Sequence, residues 1–276
     1  MTRIDFERKL VPKEALPLLG KHILFTTPRN YAGALSKLLV ERGARPIWMP
    51  TIELWPMPDY SELDQAILSL SEYSWIAFTS ENGIEAFFDR LSSRGLNTGA
   101  LRATKIAALD ADVPALEKRG IEADVVPAES SPQGIIDELV RLGVHNGRIL
   151  LPVPEVIGMK EPYVVPQFTE SLANIGMAVH RVPAYQTIAV TEGFSLEKRL
   201  LLGSKVDLVT FTSSAEISSL LLLLGNEDKV LKGVPVACLG RFTAKTANEA
   251  GLRVDIVPER YAFHDLLEAI EAHFRT

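Results

Sequence analysis

At 276 residues, the chain is long for a single domain of the usual ~100–150 residues and suited to two. An apolar fraction of 47% against 23% charged residues is ordinary globular usage and excludes the disordered class. A formal net charge of −6, with no block of Lys and Arg, removes the basis for non-specific nucleic-acid binding, yet leaves room for an anionic ligand held by backbone amides and an arginine.

In chain order, His22 to Pro28 reads as a buried strand, followed by a helix marked by Tyr31, Leu35, Leu38 and Leu39. Met49 to Pro56 is extended and carries proline. A second strand, Trp75 to Ser80, precedes the stripe Ile84, Phe87, Phe88, Leu91, spaced i, i+3, i+4, i+7. Strand Lys105–Leu109 then leads to a helical segment stopped at Gly120, strand Ala123–Pro127 and a helix carrying Ile135, Ile136 and Leu139.

The pattern then repeats. Arg148 to Pro154 answers His22 to Pro28, and a proline-containing loop around Glu155 to Pro166 precedes a helix near Phe168 to Ile175. Val182 to Val190 answers Met49 to Pro56. Leu208–Ser213 ends in the same Phe-Thr-Ser as Trp75–Ser80, and Ile217, Leu220, Leu221 and Leu224 match the earlier stripe position for position. Strand Pro235–Leu239, a helix ending at Gly251, strand Val254–Pro258 and a helix with Leu266, Leu267 and Ile270 complete the second copy. Alternating strands and helices predict parallel sheets covered on both faces, with ligands beyond the carboxyl ends of the strands. That places Thr79 to Gly83 and Thr212 to Glu216 at candidate site positions, where a Ser or Thr either caps its helix or donates to a ligand. The site is expected in a cleft between two domains.

Several chemistries have no residues to carry them. The sequence contains no Gly-x-Gly and no P-loop, so nucleotides are disfavoured. Its five histidines are scattered and it has one cysteine, Cys238, so neither a zinc cage nor an internal disulfide is expected. No Gly-x-Ser-x-Gly elbow is present. The longest apolar run, Leu220 to Leu224, is far short of a membrane span, and a cytoplasmic location is expected. What remains are hydroxyls, backbone amides and an occasional Arg or Tyr, which suit a substrate that is already reactive.

The segments 24–29 (Leu-Phe-Thr-Thr-Pro-Arg), 75–88 (Trp-Ile-Ala-Phe-Thr-Ser-Glu-Asn-Gly-Ile-Glu-Ala-Phe-Phe), 182–187 (Val-Pro-Ala-Tyr-Gln-Thr), 207–214 and 238–244 resemble, in order and spacing, the uroporphyrinogen-III synthase family, over about Lys21 to Phe274. The resemblance implies an α/β fold of two flavodoxin-like parallel-sheet domains joined by a two-stranded β linker. Mapped onto this chain, residues 1–50 with 190–276 form the first domain, 57–181 the second, and 51–56 with 182–189 the linker strands. It implies that hydroxymethylbilane, a linear tetrapyrrole bearing eight carboxylates, is closed to uroporphyrinogen III with loss of water and inversion of ring D. The route runs through an azafulvene and a spiro intermediate, without a cofactor. A transient contact with hydroxymethylbilane synthase is the one protein partner expected, and a monomer the default state.

By the same resemblance Tyr185 matches the cleft tyrosine that donates to the leaving hydroxyl; a phenol of pKa about 10 is protonated at neutral pH, as a donor must be. Thr79, Ser80, Asn82, Gly83, Thr212, Ser213, Ser214, Gly240 and Thr243 match substrate-binding positions. Arg29 is placed for a bidentate carboxylate contact, or equally for a solvated surface. The first copy departs from the family's Gly-x-x-Thr: Asp110 stands where Gly is expected, and the Thr position falls at Val113 beside a one-residue deletion and Pro114. Asp110 is therefore expected to point away from the ligand, or binding to depend mostly on the other loops. Two further readings stay open at this stage, a non-catalytic cleft-type binding or regulatory relative and a convergent two-domain transferase or binding protein.

Overall fold

A computed structural model describes residues 16–275; residues 1–15 and 276 of the expected first domain lie outside the described residues. In chain order the elements are β1 (His22–Phe25), α1 (Arg29–Glu41), β2 (Arg45–Trp48), β3 (Ile52–Pro56), α2 (Ser61–Leu68), β4 (Trp75–Phe78) and α3 (Glu81–Ser93). They continue as β5 (Lys105–Ala108), α4 (Val113–Glu117), α5 (Pro132–Arg141), β6 (Arg148–Ile157), α6 (Val164–Asn174) and β7 (Ala178–Ala189). The chain closes with α7 (Ser195–Leu202), β8 (Leu208–Phe211), α8 (Ser214–Leu224), β9 (Val236–Cys238), α9 (Arg241–Glu249), β10 (Val254–Ile256) and α10 (Phe263–Arg275).

The strands form two sheets, ordered β10-β9-β8-β1-β2 and β3-β7-β6-β4-β5. All pairings are parallel except β3 with β7. Each sheet takes its two opening strands from one sequence copy and its later strands from the other: β1 and β2 meet β8, β9 and β10, while β6 and β7 meet β4 and β5. Numbered within the repeat, both follow the flavodoxin-like order, with the switch point between β1 and β8 in one and β6 and β4 in the other. The chain divides into two compact units, one running to Thr51 and from Glu192 onward, the other from Ile52 to Thr191.

Buried strands alternate sides, as their period of two requires. In the first sheet Leu24, Val209 and Phe211 enter one core with Ile217 and Leu220, while Ile23, Phe25 and Leu208 enter another with Leu35 and Leu267. In the second, Ile76 and Phe78 pack with Phe87 and Leu91, and Trp75 and Ala77 with Ile135 and Leu172. Each such buried aliphatic or aromatic side chain contributes roughly 1.5–3 kcal/mol relative to exposure.

Residues 51–56 and 182–189, expected as the two strands of the linker, pair with each other: β3 lies antiparallel along β7, from Ile52 opposite Ala189 to Pro56 opposite Tyr185, and through β7 they continue the second sheet. Extended, β-prone residues satisfy their backbone groups by this pairing. Two other expectations differ from the structure. Ala123–Pro127 is reduced to one parallel bridge, Ala107 to Val125, where the Asp124 carboxylate accepts the Ile106 N–H at 2.8 Å and so takes a place in the ladder. The loop expected from Glu155 is strand up to Ile157. Past Leu150, β6 pairs with β7 alone, so the N–H groups missing at Pro152 and Pro154 cost no bond to β4.

Candidate functional site

In the second unit the expected residues Thr79, Ser80, Asn82 and Gly83 stand where β4 passes into α3, beside the switch point. Ser80 is the N-cap of α3, and its Oγ accepts the Gly83 N–H at 3.1 Å. The same Oγ lies 3.2 Å from the Tyr185 hydroxyl, a hydrogen bond in which either atom can donate. Gly83 is buried, and a Cβ there would sit 3.0 Å from the Pro152 carbonyl oxygen, tighter than an ordinary contact, so a side chain at this position would press β6 and α3 slightly apart. Thr79 and Asn82 are half-buried.

Tyr185 reaches this helix head through an irregularity in β7. Val153 pairs with Pro183, but Pro154 pairs with Tyr185, leaving Ala184 as an extra residue. In a regular strand Ala184 and Tyr185 would face opposite sides; the bulge lets both pack on the core beneath α2 and α3. Tyr185 is half-buried and shares with Asn82, Trp55, Tyr60 and Arg90 the wall of a cavity of about 280 Å³. Burial pushes its phenol up to about 12, with the Asp112 charge adding and the Ser80 hydrogen bond opposing.

The acidic turn after β5 places its two carboxylates differently. Asp110 is exposed, and its N–H donates to Ser130 Oγ at 3.2 Å. Asp112, which drew no attention as a sequence position, is only 7% exposed. It precedes α4 without a side-chain cap bond, and the nearby Glu81 N–H at the head of α3 favours its charged form. Burial and the nearby Glu81 charge raise its carboxyl to about 7, against the pull of that N–H.

In the first unit Thr212, Ser213 and Ser214 open α8, but their hydroxyls are engaged within the protein. Glu216, fully buried, accepts from Thr26 Oγ1 at 2.6 Å, the Thr212 N–H at 2.9 Å, Ser213 Oγ at 3.2 Å and Thr212 Oγ1. Its own N–H donates to Ser213 Oγ at 3.4 Å. Ser213-x-x-Glu216 is a capping-box pattern, legible in the sequence; the reach of its carboxylate across the switch point to Thr26 was not. Burial raises the Glu216 carboxyl, and the four donors oppose that rise. Ser214 Oγ accepts from Thr246 Oγ1 at 2.8 Å, tying α8 to α9.

Gly240 is the N-cap of α9, and Thr243 is buried in the first turn. A Cβ on Gly240 would lie 2.8 Å from the Tyr261 ring, whose hydroxyl donates to the Thr212 carbonyl at 3.0 Å. Tyr261 thus links two of the expected loops, and no motif marked it. Arg29 opens α1, a helix with no side-chain cap and no acidic residue in its first turn. It is exposed, with its guanidinium 5.3 Å from the Trp48 ring centre, and this electropositive helix end suits a carboxylate. Among the described residues no cluster of His, Cys, Asp or Glu is arranged to hold a metal ion.

The family model for uroporphyrinogen-III synthase HemD matches residues 33–268. The chain belongs to the uroporphyrinogen-III synthase family. It is 29% identical over 263 residues to the porphyrin biosynthesis protein HemD of Ruminiclostridium josui, covering 92% of this chain but spanning only about half (49%) of that relative. The uroporphyrinogen-III synthase of Synechococcus elongatus is 27% identical over 260 residues, covering 92% of this chain and 96% of the relative. A crystal structure of a mutant Thermus thermophilus uroporphyrinogen III synthase shares the two-domain fold, with a TM-score of 0.71 at 18% identity over 93% of this chain and 99% of that one.

Proposed function

We propose that this chain closes hydroxymethylbilane to uroporphyrinogen III, with loss of water and inversion of ring D, and that the hydroxyl leaves at the Tyr185–Ser80 cluster. The carrying observation is the 3.2 Å contact between Tyr185 and the N-cap serine of α3, set by a bulge in β7 at the wall of a cavity. With its lone pair turned to the Gly83 N–H, Ser80 donates to the phenol oxygen, and the phenolic proton is left for the departing hydroxyl. The C–O bond then breaks as the pyrrole nitrogen supplies the electron pair, and the proton released when the last ring regains aromaticity balances the one given. Positioning dominates, since the substrate closes unaided and the protein selects which ring carbon is attacked.

Asn82, Thr79 and the amides at the head of α3 are proposed to hold substrate carboxylates in the second unit. In the first unit Arg29, Gly240 and the head of α9 serve the same end; Thr212, Ser213, Ser214 and Thr243 shape those loops while Glu216 and Thr246 occupy several of their hydroxyls. No described helix is long and apolar enough to cross a membrane, and the lone, buried Cys238 suits a reducing compartment, so we place the protein in the cytoplasm. A labile substrate favours transient hand-over from hydroxymethylbilane synthase.

The test is product identity. Hydroxymethylbilane generated in situ, closed in the presence of the protein and oxidised, should give mostly uroporphyrin isomer III on chromatographic separation. Isomer I at the level of the protein-free control, from verified folded protein, would overturn the assignment.

A further inference from the structure

The cavity that holds Tyr185 continues along one face of α3. Asn82, Ala86 and Arg90 stand on it at intervals of four residues, with Glu85 and Asp89 beside them, and Tyr60 completes the wall from outside the helix. A volume of about 280 Å³ admits one substituted ring rather than a whole tetrapyrrole. Arg90 is fixed in this wall from two sides. Asp64 of α2 accepts from its Nε and Nη2, and its guanidinium lies 4.8 Å from the centre of the Tyr60 ring, whose hydroxyl accepts the Met57 N–H at 3.2 Å. The third nitrogen, Nη1, donates to no described residue, so its two N–H groups are left over. Charge sorts the cavity in the same way. Arg94 also approaches Asp64, at 3.9 Å, so two guanidiniums share one carboxylate and that group carries a net positive charge. Glu85 and Asp89 share Arg119 and leave a net negative charge. An anion entering beside Tyr185 is therefore drawn towards Arg90 and away from the two acids.

We propose that Arg90 binds, through Nη1, a carboxylate of the substrate ring that carries the leaving hydroxyl, and so holds that ring with its hydroxyl towards Tyr185. The pair with Asp64 and the contact with Tyr60 fix the plane of the guanidinium before the substrate arrives, so little side-chain freedom is lost on binding. A bond from a cation to a carboxylate is also stronger than one between neutral groups. Arg90 thus serves two carboxylates at once, one of the chain and one of the ligand. A planar fork of five N–H groups can do this, and a point charge cannot.

This inference rests on the reaction proposed above, and the experiment separates the two. KM and kcat for isomer III formation are measured for the wild type, Arg90→Gln, Arg90→Lys and Asp64→Asn, with the unfolding midpoint of each. Arg90→Gln and Asp64→Asn both break the tie between α2 and α3, so a merely structural arginine would move KM alike in the two. If Arg90 holds the substrate, Arg90→Gln should raise KM about tenfold, the loss of one charge-assisted hydrogen bond, with kcat changed far less. Asp64→Asn keeps the guanidinium and should show a KM at or below the wild-type value. Arg90→Lys keeps a cation facing Asp64, and with it the fold, but has no fork to serve Asp64 and the substrate together, so its KM should rise several-fold. A wild-type KM in folded Arg90→Gln or in Arg90→Lys overturns the proposal, and so does an equal rise in Asp64→Asn. A wild type that makes only isomer I overturns the assigned reaction itself, and this inference with it.

Discussion

The strands β4 and β8 both run out through Phe-Thr-Ser, yet the helix heads they feed are built for different ends. In the first unit Glu216, three residues after the cap, turns its carboxylate back across the switch point and gathers Thr26, Thr212 and Ser213. In the second unit the equivalent position is Gly83, and the partner of Thr26 in the other copy is Pro152, whose carbonyl a Cβ at Gly83 would approach to 3.0 Å. One pair of replacements, Thr26 with Glu216 against Pro152 with Gly83, converts a sealed polar clamp into a close backbone contact. Freed of an internal carboxylate at that position, Ser80 takes the Tyr185 hydroxyl instead. A duplicated motif has therefore not duplicated a site; the residue three places on decides whether the serine serves the fold or the chemistry.

The largest effect expected from breaking this contrast is in the clamp. Glu216→Ala leaves Thr26, Thr212 and Ser213 without a common acceptor and should cost about 3–5 kcal/mol in denaturant unfolding. A loss under about 1 kcal/mol would show that the buried carboxylate does not hold the switch point together.

Asp112→Asn should act in the opposite direction and with pH. A carboxyl raised from 3.8 to about 7 on folding means that the native state binds more protons than the unfolded chain between those values. Stability is then fullest below about pH 4 and declines as pH rises towards 7, by up to roughly 4 kcal/mol. Removing the ionisable group should raise the melting temperature at about pH 8, above the folded value, more than at about pH 5, inside the window. Equal shifts at the two pH values would contradict the burial assigned to this group.

Gly83→Ala should cost about 1–3 kcal/mol through the clash with Pro152, and lower turnover by displacing Ser80. Ser80→Ala is the mildest change to the fold, about 1 kcal/mol for the lost cap, yet it should slow isomer III formation several-fold. Ser213→Ala, its counterpart, should leave turnover less affected than stability; a larger catalytic loss there than in Ser80→Ala would reverse the contrast drawn between the two helix heads.

Much of this organisation was legible in the sequence. Strand-length apolar runs and the stripes at Ile84–Leu91 and Ile217–Leu224 fix the buried elements, since their spacing follows directly from strand and helix geometry. The matched Phe-Thr-Ser segments locate both strand ends. The bulge at Ala184 was not legible, because it depends on how Tyr185 packs between β3 and β6 and leaves no mark in local propensity. Nor was the burial of Asp112: the Asp-Ala-Asp turn reads as solvated, and only the return of the chain onto α3 removes it from water. Glu216 showed its cap pattern but not its bond to Thr26, which lies 190 residues away in sequence.

The most direct test of the account is the rate of isomer III formation by Tyr185→Phe, measured beside its unfolding midpoint. The phenol is assigned the proton for the departing hydroxyl, so the rate should fall by about tenfold or more while the fold is retained. A well-folded Tyr185→Phe protein that forms isomer III at the wild-type rate would remove Tyr185, and with it the assignment of the second unit's helix head, from the chemistry.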